Sequence, residues 1–506
     1  MLRLRDRGMA MEQERREFLD MVRELNTLGQ VAGILGWDEQ TYMPPGSARN
    51  RARQNAALAS VIHSYITSER MGRLIRSLTK QELPPDCAVI LRETERDWRR
   101  ANSIPEKLIK EINSIEALSF EAWAEARRKN NFRVFEPLLA RTIDLKMQVA
   151  EHVGYEDKPY DALLDEYEPG MKASDVDALF AKLRIRLLPV AKKIMSLAEP
   201  VHAVPAGTYP PDDQRKLITM ISTAMGFDLN YGRIDVSPHP FTIGIGRDVR
   251  ITVRYDESNP IAVLIGGIHE TGHALYEQGF DEKYEGTPLA EAVSTGVHES
   301  QSKIWEYMVG RSLPFWTHFY PKMQDIFPVF RQAPLDAWYR EINDVRPTIN
   351  RVNADEVTYN LHIMIRYDVE SALFDGRLKP EEIPAFWDER YKHYLGLEVP
   401  EDASGCLQDM HWAIGMFGYF PTYTLGILYA AQLWDAARRQ VPDLEGRIAT
   451  GDLGTLLGWL RENVHRHGRR YDARELIKKA TGRAPGEECF IRYLHEKYGR
   501  IYGISL

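Results

Sequence analysis

Cysteine is nearly absent from this chain: Cys87, Cys406 and Cys489 are the only three in 506 residues. An odd, widely spaced set supports neither a disulfide framework nor a thiolate zinc site, and it fits an intracellular, cytoplasmic protein. Positive charge is not in excess either, since 65 Lys and Arg stand against 73 Asp and Glu, a formal net charge of −8. No basic field is available to a phosphate backbone, which excludes nucleic acid as the expected partner. Long apolar runs are lacking: no stretch reaches the roughly 18 residues needed to cross a bilayer, so no membrane association is expected. The opening Met1-Leu2-Arg3-Leu4-Arg5-Asp6-Arg7 likewise has no hydrophobic signal core. There is no repeat of fixed period and no low-complexity linker, hence no visible domain boundary. A single domain is expected over 11–506, with residues 1–10 a candidate disordered extension because Met9 and Met11 offer alternative starts.

What is present is helical periodicity. Phe18, Val22, Leu25, Leu28, Ala32 and Leu35 recur at three- and four-residue intervals until Met43-Pro44-Pro45-Gly46 breaks the stripe. Similar patterns continue past Leu83-Pro84-Pro85-Asp86, Ser103-Ile104-Pro105 and Glu168-Pro169-Gly170. Between Asp235 and Asp256 the texture alternates instead, in 239–245 and 249–255, which predicts a β-hairpin with its turn near Gly246-Arg247-Asp248. Helices are expected again over Glu291–Val309, Ala354–Phe374 and Pro384–Leu395. The fold class is therefore mainly α, a large helical body with one small sheet.

His269-Glu270-Thr271-Gly272-His273 is an H-E-x-x-H motif led by the apolar run Ile261-Ala262-Val263-Leu264-Ile265. On a helix the two histidines lie one turn apart on one face and converge on a zinc-type ion, while Glu270 sits beside it as a base for a water. Catalytic zinc sites usually take a third protein ligand. The stretch after His273 lacks the third histidine of the metzincins, so Glu299, in Val297-His298-Glu299-Ser300, is preferred as that ligand, with His298 supporting from behind. A hairpin directly before the metal helix offers a strand edge that can hold an extended peptide.

At this point the chain resembles the carboxypeptidase Taq family of metallocarboxypeptidases, on six motifs in order. His239-Pro240-Phe241 matches HPF, Asp248 to Thr252 matches D-x-R-x-T, His269 to His273 matches H-E-x-x-H, and His298 to Gln301 matches HES-Q. Gly405 to Trp412 matches G-x-x-Q-D-x-H-W, and Asn350 to Asp355 matches I-R-x-x-A-D except that Asn350 replaces the apolar residue beside Arg351. Trp37-Asp38 with Thr41 and Met43-Pro44 also looks like the family's N-terminal segment, so the resemblance covers nearly the whole chain. It implies a helical body split by a deep central groove, as in the angiotensin-converting-enzyme and neurolysin folds, a homodimer, and one Zn or Co ion per chain. It also implies removal of single residues from peptide C-termini with broad tolerance.

The remaining roles rest on residue chemistry within those motifs. An oxyanion needs a donor beyond the ion; related helical metallopeptidases point to His411 and Tyr423, with Tyr419 in reserve. An exopeptidase must grip a free carboxylate, which an arginine fork does bidentately, so Arg351 and Arg250 are the candidates, with His239 on the same substrate side. Asp409 is a candidate to orient His411. The alternatives are an endo-oligopeptidase or dipeptidyl carboxypeptidase on the same groove, and a catalytically silent peptide-binding protein, against which the intact Glu270 speaks.

Overall fold

The computed structural model describes residues 2–197 and 204–505, without the side chains of residues 2–8. The extension expected over residues 1–10 falls partly outside that description; from Leu2 onward the backbone belongs to the first helix, α1 (Leu2–Thr41). Its stripe buries Phe18, Met21 and Val22 fully, whereas Leu25, Leu28, Ala32 and Leu35 are only half-buried. Two prolines, Pro44 and Pro45, follow its end, where the missing N–H groups prevent continuation. The buried end joins Met71, Leu74, Leu78, Ile90 and Leu91 in a small core of its own. A much larger continuous core runs from Trp123 to Tyr498.

The sheet has three strands where the alternation predicted two. β1 (Gly232–Val236) pairs in parallel with β3 (Asp248–Val253), and β2 (Thr242–Ile245) pairs with β3 antiparallel, so β3 is central. β2 and β3 are the expected hairpin, turning at Gly246, whose φ of 62° suits glycine. Strand β1 escaped because its partner is parallel and distant in sequence, leaving no turn signal beside it. Val249, Ile251 and Val253 of β3 are buried and seat the sheet on the large core.

Four helices carry the site. α2 (Pro260–Glu277) holds the H-E-x-x-H motif and is capped by Asn259, whose side chain accepts from Ala262 N. α3 (Thr295–Lys303) is capped by Ser294 and passes into a wider π-helical turn over Ile304–Val309. α4 (Tyr359–Phe374) and α5 (Pro421–Gln440) are almost entirely buried. Two of these starts lie later than the sequence predicts. Ser294 captures Val297 N, so α3 begins at Thr295 rather than Glu291. The Asp355 carboxylate accepts from Val357 N and Thr358 N, which folds residues 354–358 into a turn before α4.

α3 packs against both α2 and α5 at backbone-contact distance, and two glycines permit it. A Cβ at Gly272 would lie 2.7 Å from Gln301 O and from Ser302 Cα, and one at Gly426 would lie 2.7 Å from Glu299 Cβ. The first obstacle is backbone, which has no flexible end to yield. Gly272→Ala is therefore expected to destabilise the fold by about 1–3 kcal/mol and to lower metal retention together with thermal stability. Thermal unfolding with and without added zinc checks this, and an unchanged Tm would contradict the packing account.

Candidate metal centre and substrate groove

α2 and α3 together bring His269, His273 and Glu299 into one cluster, whose donor atoms all lie within 4.8 Å of one another. Glu299 Oε2 is 3.8 Å from His269 Nε2 and 3.3 Å from His273 Nε2. The opposite ring nitrogens are occupied elsewhere. His269 Nδ1 is 2.8 Å from Glu306 Oε2, and His273 Nδ1 is 3.1 Å from the backbone carbonyl of His298 and 2.6 Å from its Nδ1. With acceptors at Nδ1, the proton resides there and each Nε2 lone pair faces Glu299. Two imidazole nitrogens and one carboxylate oxygen fit a zinc-type divalent ion. Burial and the neighbouring His298 push His273 down to about 3, so its ring is neutral, as a ligand must be. Burial opposes the Glu299 charge, but the buried Lys303 ammonium is the chief group countering that, and the carboxyl is held down to about 2.

Three supporting residues went unassigned in the sequence. Glu306 orients His269, and Lys303 lies 2.7 Å from Glu306 and 3.6 Å from Glu299, tying the two carboxylates together. Burial disfavours the Lys303 charge, yet Glu306, Tyr307 and Glu299 keep it protonated. The third is Glu277, whose Oε1 accepts from His298 Nε2 at 2.8 Å and so continues the line from His273. The spacing Glu299, Lys303, Glu306 is i, i+4, i+7, one face of a helix, and was the signal available for the first two. His298, expected behind the ligands, lies between His273 and Glu277.

Glu270 is buried, and its Oε2 accepts from Thr242 Oγ1 at 2.7 Å, so the first residue of β2 holds the candidate base. Burial pushes its carboxyl above the ordinary range, against the pull of His269 and Thr242. A groove of about 1630 Å³ opens over the centre, lined by Phe241, Thr242, the three candidate ligands, Glu270, Arg351, Tyr419 and Tyr423. The groove, the strand beside it and the metal cluster are thus contiguous.

Arg351 is buried in the wall. Its Nε and Nη2 donate to Asp409 Oδ1 at 3.2 and 2.8 Å, and its Nη1 donates to the Tyr359 hydroxyl at 2.8 Å. Those bonds use three of five N–H groups, leaving one on each terminal nitrogen among the described contacts. Asn350, the departure from the family pattern, accepts from Val352 N at 3.1 Å and caps the short turn that presents Arg351.

Three expected residues are placed differently. Arg250 does not line the groove: its Nε sits 3.0 Å from both Asp248 oxygens and its guanidinium lies 4.4 Å over the Trp37 ring, fastening α1 to the sheet. His239 is exposed, and it is its neighbours Pro240 and Phe241 that line the groove. His411 is also absent from the lining, stacked 5.6 Å from Tyr419, with a buried Nδ1 that has no partner among the described residues. Asp409 lies 4.0 Å from that ring but is committed to Arg351 and Arg366, so orienting His411 is at most its minor contact.

Glu306→Gln keeps the shape beside His269 and removes the charge that fixes its tautomer. Metal affinity is expected to fall about 10–100-fold, read by chelator competition, with far-ultraviolet circular dichroism unchanged. Undiminished affinity would remove Glu306 from the centre.

Comparison with known proteins identifies the family. Residues 17–498 match the family described as carboxypeptidase Taq (M32) metallopeptidase. Thermostable carboxypeptidase 1 of Thermus thermophilus is 41% identical, with 98% of this chain and 100% of the relative covered. Carboxypeptidase 1 of Bacillus subtilis is 37% identical, with 96% and 98% covered. The crystal structure of the M32 carboxypeptidase from Deinococcus radiodurans R1 has a TM-score of 0.95 at 37% identity, covering 97% of this chain and 100% of that one. The chain belongs to the carboxypeptidase Taq (M32) family of metallopeptidases.

Proposed function

We propose that this metallocarboxypeptidase releases amino acids one at a time from the free C-terminus of peptides, with broad side-chain tolerance. His269, His273 and Glu299 hold one divalent ion, Zn or Co. Bound there, such an ion supplies Lewis acidity toward the scissile carbonyl and lowers the pKa of a water from 15.7 toward about 7. The chain's own residues do the rest. Glu270, held by Thr242 and raised by burial, removes a proton from the attacking water and later delivers it to the leaving amine nitrogen. Tyr423 and Tyr419 line the groove as donors toward the developing oxyanion. Burial pushes the Tyr419 hydroxyl up to about 12, so it remains protonated and able to donate. His411 backs Tyr419 and sets its orientation.

The observation that carries the exopeptidase reading is Arg351. Its guanidinium lines the same groove as the centre and keeps an N–H on each terminal nitrogen after its bonds to Asp409 and Tyr359. That is the pair of donors a terminal carboxylate needs. An endopeptidase has no use for it, and a silent binder has no use for Glu270. The homodimer inherited from the family resemblance is part of this proposal, as is cytoplasmic residence; no described helix is long and apolar enough to cross a membrane.

Mass spectrometry of a free-acid peptide incubated with metal-loaded protein should show masses falling one residue at a time, and the C-terminally amidated peptide should stay intact. Cleavage of the amide, or release of residues in pairs, favours an endo-oligopeptidase or dipeptidyl carboxypeptidase. Arg351→Ala is expected to raise KM with metal content little changed.

Glu270→Gln is expected to retain metal and lose peptide hydrolysis by roughly 10²–10⁴-fold. Elemental analysis and turnover on one preparation check both halves, and retained turnover would reassign the base.

A further inference from the structure

A second cavity, of about 810 Å³, lies between α1 and the C-terminal end of α2. It adjoins the groove, and Asp97 and Ala292 line both. One side is aliphatic, formed by Val22, Leu25, Ile62 and Ile66; the rest is acidic, with seven carboxylate side chains against Arg247 and Arg461 in the lining and Arg96, Arg469 and Lys283 pairing with it from outside, so carboxylates remain in excess. The arginines are engaged: Arg247 pairs with Glu282 and lies 4.1 Å over the Tyr231 ring, and Arg461 interacts with Asp228. Glu285 has no ion pair among the described residues. An apolar wall beneath surplus negative charge matches one chemistry, a long aliphatic stem ending in a cation.

We infer that this cavity is a substrate subsite for a lysine or arginine side chain upstream of the scissile bond. The inference rests on the peptidase reading above. Glu277, in the cavity wall, is one helical turn beyond His273, about 6 Å along the axis. A residue a few positions before the C-terminus therefore spans the distance at about 3.3 Å per residue. The entrance carries its own selectivity. Arg469 donates to Asp97 and to Glu291 at 3.1 Å each, and an incoming cation competes with it for the same two carboxylates.

The test is a scan of one acetylated hexapeptide in which each position before the last is Lys, norleucine or Glu in turn. KM is measured on the native protein and Kd on the non-hydrolysing Glu270→Gln protein, both metal-loaded. At one or two positions Lys is expected to bind about fivefold more tightly than norleucine, and Glu more weakly than either. That advantage should shrink in Glu285→Gln, which alters a carboxylate with no ion pair among the described residues, and it should fade at high salt. A scan in which Lys, norleucine and Glu are equal at every position, in both Kd and KM, overturns the subsite. An advantage unchanged both in Glu285→Gln and at high salt overturns it as well. Single-residue release by the native protein is scored separately, so the peptidase reading stands or falls independently of Kd.

Discussion

Each imidazole of the centre is useful only while its Nδ1 is held. His269 is held by Glu306, and His273 by the carbonyl and ring of His298, itself braced by Glu277. Glu306 is in turn a buried carboxylate, which is costly unless opposed. Lys303 opposes it at 2.7 Å and Arg311 at 3.8 Å, while Lys303 also reaches Glu299. Charges thus alternate inward from Arg311 through Glu306 and Lys303 to Glu299. Removing a single member strands its neighbour in a low-dielectric interior, so the set survives only as a unit. The π-helical turn over Ile304–Val309 carries Glu306 in the segment directly after the candidate ligand Glu299 and its partner Lys303.

A second buried charge network stands behind Arg351, the proposed carboxylate site. Asp409 accepts from Arg351 and from Arg366, both buried, so one negative charge is set against two positive ones. The guanidinium of Arg366 is fully enclosed, donating also to Gln408 and to the carbonyl of His362. Only Arg351 faces the groove, and the surplus charge is expressed there. This explains why a family motif containing both Gln408 and Asp409 sits so far in sequence from Arg351: Gln408 receives the Arg351 backbone N–H at 2.9 Å, and Asp409 receives its side chain.

How much of this the sequence disclosed depended on whether the cause was local. The H-E-x-x-H helix and the hairpin depend on neighbours within a few residues, and each was legible. Glu299 was reachable because one missing ligand had to be supplied and the motif carrying it had a helical pattern. Glu306 sat in that pattern too, but a glutamate seven residues on reads equally well as a solvated side chain until its burial is known. Arg250 shows the opposite error. An arginine in a motif beside the metal helix reads as a substrate fork, yet its strand position turns it toward Trp37, and nothing in residues 248–252 reveals which face of the sheet meets α1. Strand β1, the supporting place of His411 and the aliphatic-acidic cavity all arise from contacts between segments far apart in the chain.

Long-range charge in the groove then bears on how a peptide is oriented. A peptide is a dipole, with a carboxylate at one end and an ammonium or basic side chains elsewhere. The groove presents it with Arg351 in one wall and, beyond Asp97 and Ala292, a region where carboxylates outnumber arginines. Bound in the productive direction, the carboxylate meets the uncompensated guanidinium; reversed, it meets acidic side chains, and like charges in a cleft with low-dielectric walls repel over several ångströms. Selection of the C-terminus is thus favoured by attraction at one place and by repulsion at another. The broad side-chain tolerance expected of the site is compatible with this, because orientation is set by charges at the ends of the substrate rather than by the fit of the residue being released.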